Sequence, residues 1–298
     1  MPGNKMIPKS LLFILIISVG SACLSKKEIS VSAYYNYDHE LPLKDSVILL
    51  SDSAGVALYS MEFNSTHNER VTGLLAIPGE KTGTFPVVIL LHGLGDRKTV
   101  DYIEAGNSLL TQHGYAVLRI DVANHGDRKV LDYEFDLTDG YKYWTRDIIA
   151  QTVFDLRRAV DFLETRKEID TERIGFFGIS LGGMIGTVFC SVDNRVAVPV
   201  IALAGGNLSL MFGVDAITDE AREYFSIIDP INFVAQIKPR PLLMINAEND
   251  EVIPPITSKM LFKEASEPKN IIWYNSKHRD LPVEEAYMSA ISWFDEKL

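Results

Sequence analysis

Residues 87–91 read Val-Val-Ile-Leu-Leu, an unbroken run of β-branched and leucine side chains that ends at His92-Gly93. A strand with water on one face alternates apolar and polar residues. A run with no polar member fits a strand buried on both faces, as in a parallel sheet. Comparable runs occupy residues 116–120, 174–177, 196–203, 242–245 and 271–274. Helical patterns lie between and after them, over 102–112, 147–164, 182–192, 255–265 and 283–297. Strands that alternate with helices predict an α/β fold, with a mostly parallel central sheet and helices on both faces. Residues 47–50, 57–63 and 71–77 read as three earlier strands, bounded by Ser, Asp, Gly and Pro.

The 298 residues suit one large α/β domain or two small ones. A hydrophobic share of 47% with 23% charged residues is a globular mixture. The formal net charge of −11 argues against nucleic acid as a partner, because phosphates demand a basic surface.

The first 22 residues read as a signal peptide. Lys5 and Lys9 precede the apolar stretch 11–19, and Gly20, Ser21 and Ala22 follow it. The apolar stretch is too short to span a bilayer. "GSAC" resembles the lipobox of bacterial lipoproteins, in which the cysteine is lipidated and becomes the mature N-terminus. That resemblance implies a lipid on Cys23, a membrane anchor and a location in the bacterial cell envelope, with secretion or the periplasm as the alternative. Residues 23–45 then form a tether and lead-in to a single domain over 46–298. Cys190, the one other cysteine, has no partner and reads as a small buried hydrophobe.

Ligands of open parallel sheets bind at the carboxyl ends of the strands. There the chain places "HGLGDR" (92–97), "DVANHGD" (121–127), "GISLGG" (178–183), "NAENDEVIPP" (246–255) and "SKHRD" (276–280). Gly178-Ile179-Ser180-Leu181-Gly182 fits G-x-S-x-G between a strand and a helix, the pattern of a nucleophile elbow. Such a turn holds the serine in a strained conformation where flanking side chains would collide, hence the glycines. It also sets the hydroxyl at a helix N-terminus, which favours the negative charge that develops in acyl transfer.

A serine hydroxyl needs a base, and the base needs an orienting group. With this elbow the chain order is serine, acid, histidine. His278 is the one histidine after Ser180 and sits in the loop before the final helix. Asp250 is the favoured acid, with Glu248 as its rival; Asp280 is too close to His278 in sequence. The oxyanion needs two backbone N–H groups, expected from Leu181 and from Leu94 in "HGLG". His92 reads as a structural residue beneath that loop, and His125 as structural or substrate-contacting. No His-x-x-x-His or paired cysteines point to a metal, and no glycine-rich phosphate loop follows the first strand.

These residues carry a resemblance. Through "VVILLHGLGD", "LRIDVANHGDR", "RIGFFGISLGGMIG", "DPINFVAQIKPRPLLMINAENDEVIPP" and "KHRD" the chain is similar to the α/β-hydrolases. Within that fold it resembles the dienelactone hydrolase, acetyl xylan esterase and prolyl-oligopeptidase-like group. The likeness runs from about Val71 to the C-terminus. It implies a triad of Ser180, Asp250 and His278, oxyanion donors at Leu94 and Leu181, and no cofactor. Dienelactone hydrolases proper use a cysteine nucleophile; Ser180 points to ordinary ester hydrolysis. The stretch before Val71 is too short for the β-propeller of prolyl oligopeptidases.

The expected function is hydrolysis of small-molecule carboxylic esters with small or medium acyl groups. A thioesterase or peptidase with the same triad stays open, because leaving-group preference is not written in the triad. A lipid-anchored binding protein that kept the fold and lost catalysis is the reading outside enzymes. Two short inserts near 130–144 and 205–229 are expected to follow strands, precede helices and cap the site. They carry Tyr133, Phe135, Tyr141, Tyr143, Trp144, Leu210, Met211, Phe212, Tyr224 and Phe225.

Overall fold

Every residue of the 87–91 run is buried, and the two-residue period of the strand explains how. Val87, Ile89 and Leu91 face one apolar cluster, while Val88 and Leu90 face a second on the other side of the sheet. The computed structural model describes residues 30–79, 83–132, 134–138, 140–213 and 218–298. The signal segment, Cys23 and Tyr133 lie outside the described residues. Val31–Leu298 packs as one unit.

Three antiparallel strands open the sheet: β1 (Ser46–Ser53), β2 (Val56–Asn64) and β3 (Arg70–Pro78). The rest are β4 (Phe85–Leu91), β5 (Ala116–Ile120), β6 (Ile169–Ile179), β7 (Val196–Ala202), β8 (Leu242–Ala247) and β9 (Lys269–Tyr274). The spatial order is β1-β2-β3-β5-β4-β6-β7-β8-β9, and from β5 onward every pairing is parallel. Parallel neighbours need crossovers, and helices supply them. On one face α1 (Asp101–Gln112) and α7 (Val283–Lys297) contribute Ile103, Leu110, Tyr287, Ile291 and Phe294 to the core. On the other, α2 (Lys142–Glu164), α3 (Leu181–Val192) and α6 (Pro255–Glu264) contribute Leu156, Val160, Ile185, Val188 and Leu261. Both faces are therefore covered, the condition under which an all-apolar strand is stable.

Residues 31–45, read from the sequence as lead-in, pack onto this body. Tyr35 is buried against Phe154 and Phe233, and its hydroxyl donates to the Ile227 carbonyl at 2.5 Å. Helix α2 begins at Lys142 rather than near 147. Its first turns carry exposed aromatic and charged side chains, so no apolar period marks them.

The second insert corrects an expectation. It holds two short helices, α4 (Leu208–Phe212) and α5 (Asp219–Phe225), capped by the side chains of Asn207 and Thr218. It then leads through 3-10 turns to β8 and not to a helix. Pro239 and Pro241 in the approach lack the N–H a continuing helix needs. The two inserts hold each other. Lys142 pairs with Glu220 at 2.7 Å, the Tyr143 and Tyr224 rings lie 5.7 Å apart, and the Tyr224 hydroxyl donates to the Leu137 carbonyl.

Candidate active site

Ser180 closes β6 and opens α3 with φ 55° and ψ −119°. A side chain at positive φ is strained and persists only where its surroundings hold it. Here the Ser180 N–H donates to the Ala202 carbonyl at 2.9 Å, and its own carbonyl accepts from the Met184 N–H at 3.0 Å. The flanking glycines are required by contact. A Cβ on Gly178 would sit 2.3 Å from the Gly182 carbonyl oxygen. One on Gly182 would sit 2.4 Å from that of Leu91 and 2.5 Å from that of His92. The elbow is thus pressed against the end of β4, where the "HGLG" loop begins.

The turn after β8 supplies Asp250, and the turn after β9 supplies His278. Asp250 Oδ1 accepts from the N–H groups of Val252 at 2.9 Å and Ile253 at 2.7 Å. Its Oδ2 lies 2.7 Å from His278 Nδ1, and His278 Nε2 lies 3.0 Å from Ser180 Oγ. The Asp250 side chain is 4% exposed and that of His278 12%. Glu248 and Asp280 are exposed. The His278 N–H also donates to Glu251 Oε2 at 3.2 Å.

Leu181 is the first residue of α3, whose opening N–H groups have no partner within the helix. The Leu94 N–H finds no acceptor among the described residues, and its side chain is exposed. Next to it the Gly93 carbonyl accepts from His92 Nδ1 at 2.8 Å, while the Gly93 N–H donates to the Tyr102 hydroxyl at 2.8 Å.

His92 is fully buried, as its structural reading expects. Its Nε2 accepts from the Val122 N–H at 3.0 Å, so Nδ1 carries the hydrogen. Burial lowers its pKa to about 4 and keeps the ring neutral. His125 sits beside it, ring centroids 5.7 Å apart, and burial lowers its pKa too. Asp121 is engaged by Lys98, whose Nζ bridges Asp121 at 2.6 Å and Asp127 at 2.5 Å. Among the described residues no group of three or more His, Cys, Asp or Glu side chains could hold a metal.

Ser180 and His278 open into a cleft of about 360 Å³. Ile179, Leu203, Val252, Leu281 and Val283 give it apolar walls, and Asp96, Tyr102 and Arg279 its polar ones. No insert aromatic among the described residues lines this cleft. Phe135 lines a separate cavity that shares Leu94 and Asp96 with the cleft. Sequence reasoning missed Tyr102, Asp96 and Arg279. Arg279 was signalled by adjacency to His278 and Asp96 by its place in "HGLGDR"; nothing in the sequence marked Tyr102.

The sheet order, the elbow and these turns define an α/β-hydrolase. A family model described as acetyl xylan esterase (AXE1) matches residues 26–203, more than half of the chain. The chain belongs to that family and is a carboxylic ester hydrolase. The match includes Ser180 and ends before Asp250 and His278.

YfhR of Escherichia coli K12 is 22% identical over 279 residues, 91% of this chain and 87% of its own. YtaP of Bacillus subtilis, provisionally named a hydrolase, is 28% identical over 148 residues, so the match spans about half its length. An acetyl xylan esterase from Paenibacillus sp. R4 superposes with a TM-score of 0.74 at 21% identity, covering 90% of this chain and 92% of its own. Acetyl xylan esterase 1 from Thermoanaerobacterium sp. JW/SL YS485 gives 0.72 at 18% identity, covering 90% and 93%. Both share the fold.

Proposed function

We propose that the chain hydrolyses carboxylic esters of small or medium acyl groups through a covalent acyl-enzyme on Ser180. The observation that carries this reading is the double contact of one imidazole, 2.7 Å to Asp250 and 3.0 Å to Ser180. An ionised carboxylate only accepts, so Nδ1 holds the hydrogen and Nε2 presents its lone pair to the serine hydroxyl.

Ser180 Oγ attacks the ester carbonyl as His278 Nε2 takes its proton. The imidazolium that forms is stabilised by Asp250. The carbonyl oxygen becomes an oxyanion, met by the N–H groups of Leu94 and Leu181. The tetrahedral centre collapses, the C–O bond to the alcohol breaks, and His278 returns the proton to the departing oxygen. Water then gives a proton to His278 and attacks the acyl-enzyme. Ser180 leaves with that proton, and the carboxylic acid is released.

A cleft of about 360 Å³ with walls of Leu203, Val252, Leu281 and Val283 suits a short acyl chain. The acetyl ester in the family's name is of that size. The test is hydrolysis of p-nitrophenyl esters from acetate to laurate by wild type and Ser180→Ala. Wild type should favour the short chains, and the variant should lose about 10³-fold or more. Equal rates for the two would remove Ser180 from the mechanism.

The lipobox-like "GSAC" supports anchoring at the cell envelope through a lipid on Cys23. Metabolic labelling with a palmitate analogue should mark wild type and not Cys23→Ala; equal labelling would discard the anchor.

A further inference from the structure

The Tyr102 hydroxyl, at the start of α1, makes two contacts. It accepts from the Gly93 N–H at 2.8 Å and lies 2.7 Å from Asp96 Oδ2. A carboxylate cannot donate, so the phenol's one hydrogen goes to Asp96 and its lone pairs face Gly93. The Gly93 N–H is thereby consumed, which leaves the next N–H along, that of Leu94, for the oxyanion. At its other end the Gly93 carbonyl is held by His92 at 2.8 Å.

The Gly93 carbonyl and the Leu94 N–H belong to one planar peptide unit. Any swing of Gly93 therefore re-aims the Leu94 N–H. A Cβ on Gly93 would lie 3.4 Å from Ser180 Cβ and 3.4 Å from the Tyr102 hydroxyl, so the loop runs between nucleophile and phenol.

We propose that Tyr102, oriented by Asp96, is a positioning residue for ester hydrolysis: it pins Gly93 so that the Leu94 N–H meets the oxyanion. This rests on the serine-hydrolase reading above. Tyr102 lines the cleft, but its hydroxyl is bonded to the Gly93 N–H and Asp96 and not to Ser180 or His278, so it acts through the Gly93 backbone. An interaction that aims an oxyanion donor is felt in the transition state and hardly in the ground state, so its loss lowers kcat and spares KM. Burial holds the phenol's pKa far above its ordinary value, which keeps it a donor to Asp96 at every working pH.

The test compares wild type with Tyr102→Phe, Asp96→Asn and Asp96→Ala on p-nitrophenyl acetate. It also measures affinity for an alkyl boronic acid, which forms a tetrahedral adduct on a serine Oγ. Tyr102→Phe keeps the ring and removes the hydroxyl. Its kcat should fall about tenfold or more with KM within about twofold, and boronate affinity should fall with kcat/KM. Asp96→Ala should behave alike, while Asp96→Asn, whose amide oxygen still accepts from the phenol, should recover most of the rate. A merely structural bond would lower thermal stability and leave kcat and boronate affinity of the folded fraction unchanged. That result, in Tyr102→Phe or in Asp96→Ala should the first not fold, overturns the proposal alone. A folded wild type that neither turns over ester nor binds boronate would overturn the hydrolase reading and this proposal with it.

Discussion

Asp250 divides its two carboxylate oxygens between separate tasks. Oδ1 is held by the N–H groups of Val252 and Ile253, and Oδ2 alone faces His278 Nδ1 at 2.7 Å. The backbone thus sets the direction from which the imidazole is gripped. An asparagine would keep the shape and put a donor where an acceptor is needed, favouring the wrong tautomer. Asp250→Asn should lower kcat about 10³- to 10⁴-fold with the fold intact. Glu248→Gln, at an exposed position, should stay within about twofold of wild type. Steady-state kinetics with circular dichroism checks both.

Stability should fall with acidity through His92. Its folded pKa of about 4 lies below the ordinary value of 6.5, because burial disfavours the charged ring. Above pH 6.5 neither state is protonated and the group makes no difference. Between 6.5 and 4 the unfolded chain takes up a proton that the folded chain refuses, so stability declines as pH falls. The full loss is roughly 3 kcal/mol. His92→Asn, which has no titrating ring and keeps a donor near the Gly93 carbonyl, should show a shallower decline. Urea unfolding at several pH values compares the two slopes.

Gly182→Ala tests the close approach of elbow and β4. The new methyl would meet the backbone oxygens of Leu91 and His92, which no rotamer change can move. We expect a stability loss of about 1–3 kcal/mol and a larger loss of activity. Melting temperature and kcat of the same preparation measure the two.

Lys98→Met should be costly because Asp121 is fully buried and Lys98 is its counter-charge at 2.6 Å. Removing one partner of a buried pair typically costs about 3–5 kcal/mol. The exposed pair Lys129–Asp132 is the control, and Lys129→Met should leave the denaturation midpoint unchanged.

The central parallel strands were legible because burial on both faces writes itself as an apolar run, as at 87–91, whereas the edge strand β9 is apolar in sequence but only half-buried. Their ends were less so. β6 begins at Ile169, not near 174, since Asp170, Glu172 and Arg173 extend it without an apolar pattern. Helices α4 and α5 escaped because they are short and held by caps and by contacts between inserts. Ser180, Asp250 and His278 could be read from their order behind β6, β8 and β9, and the fold brings them within hydrogen-bonding distance. Tyr102 could not, nor could the contact Asp96 makes with it. Tyr102 is met by a backbone N–H and Asp96 by the Tyr102 hydroxyl, and neither bond imposes a residue spacing.

Covalent labelling of the purified chain with a fluorophosphonate probe, beside Ser180→Ala, bears most directly on the central claim. Labelling of wild type and not of the variant is the expected result, since only a serine activated by His278 displaces fluoride from phosphorus at a useful rate. Labelling of both, or of neither while circular dichroism shows a folded protein, would contradict an activated Ser180.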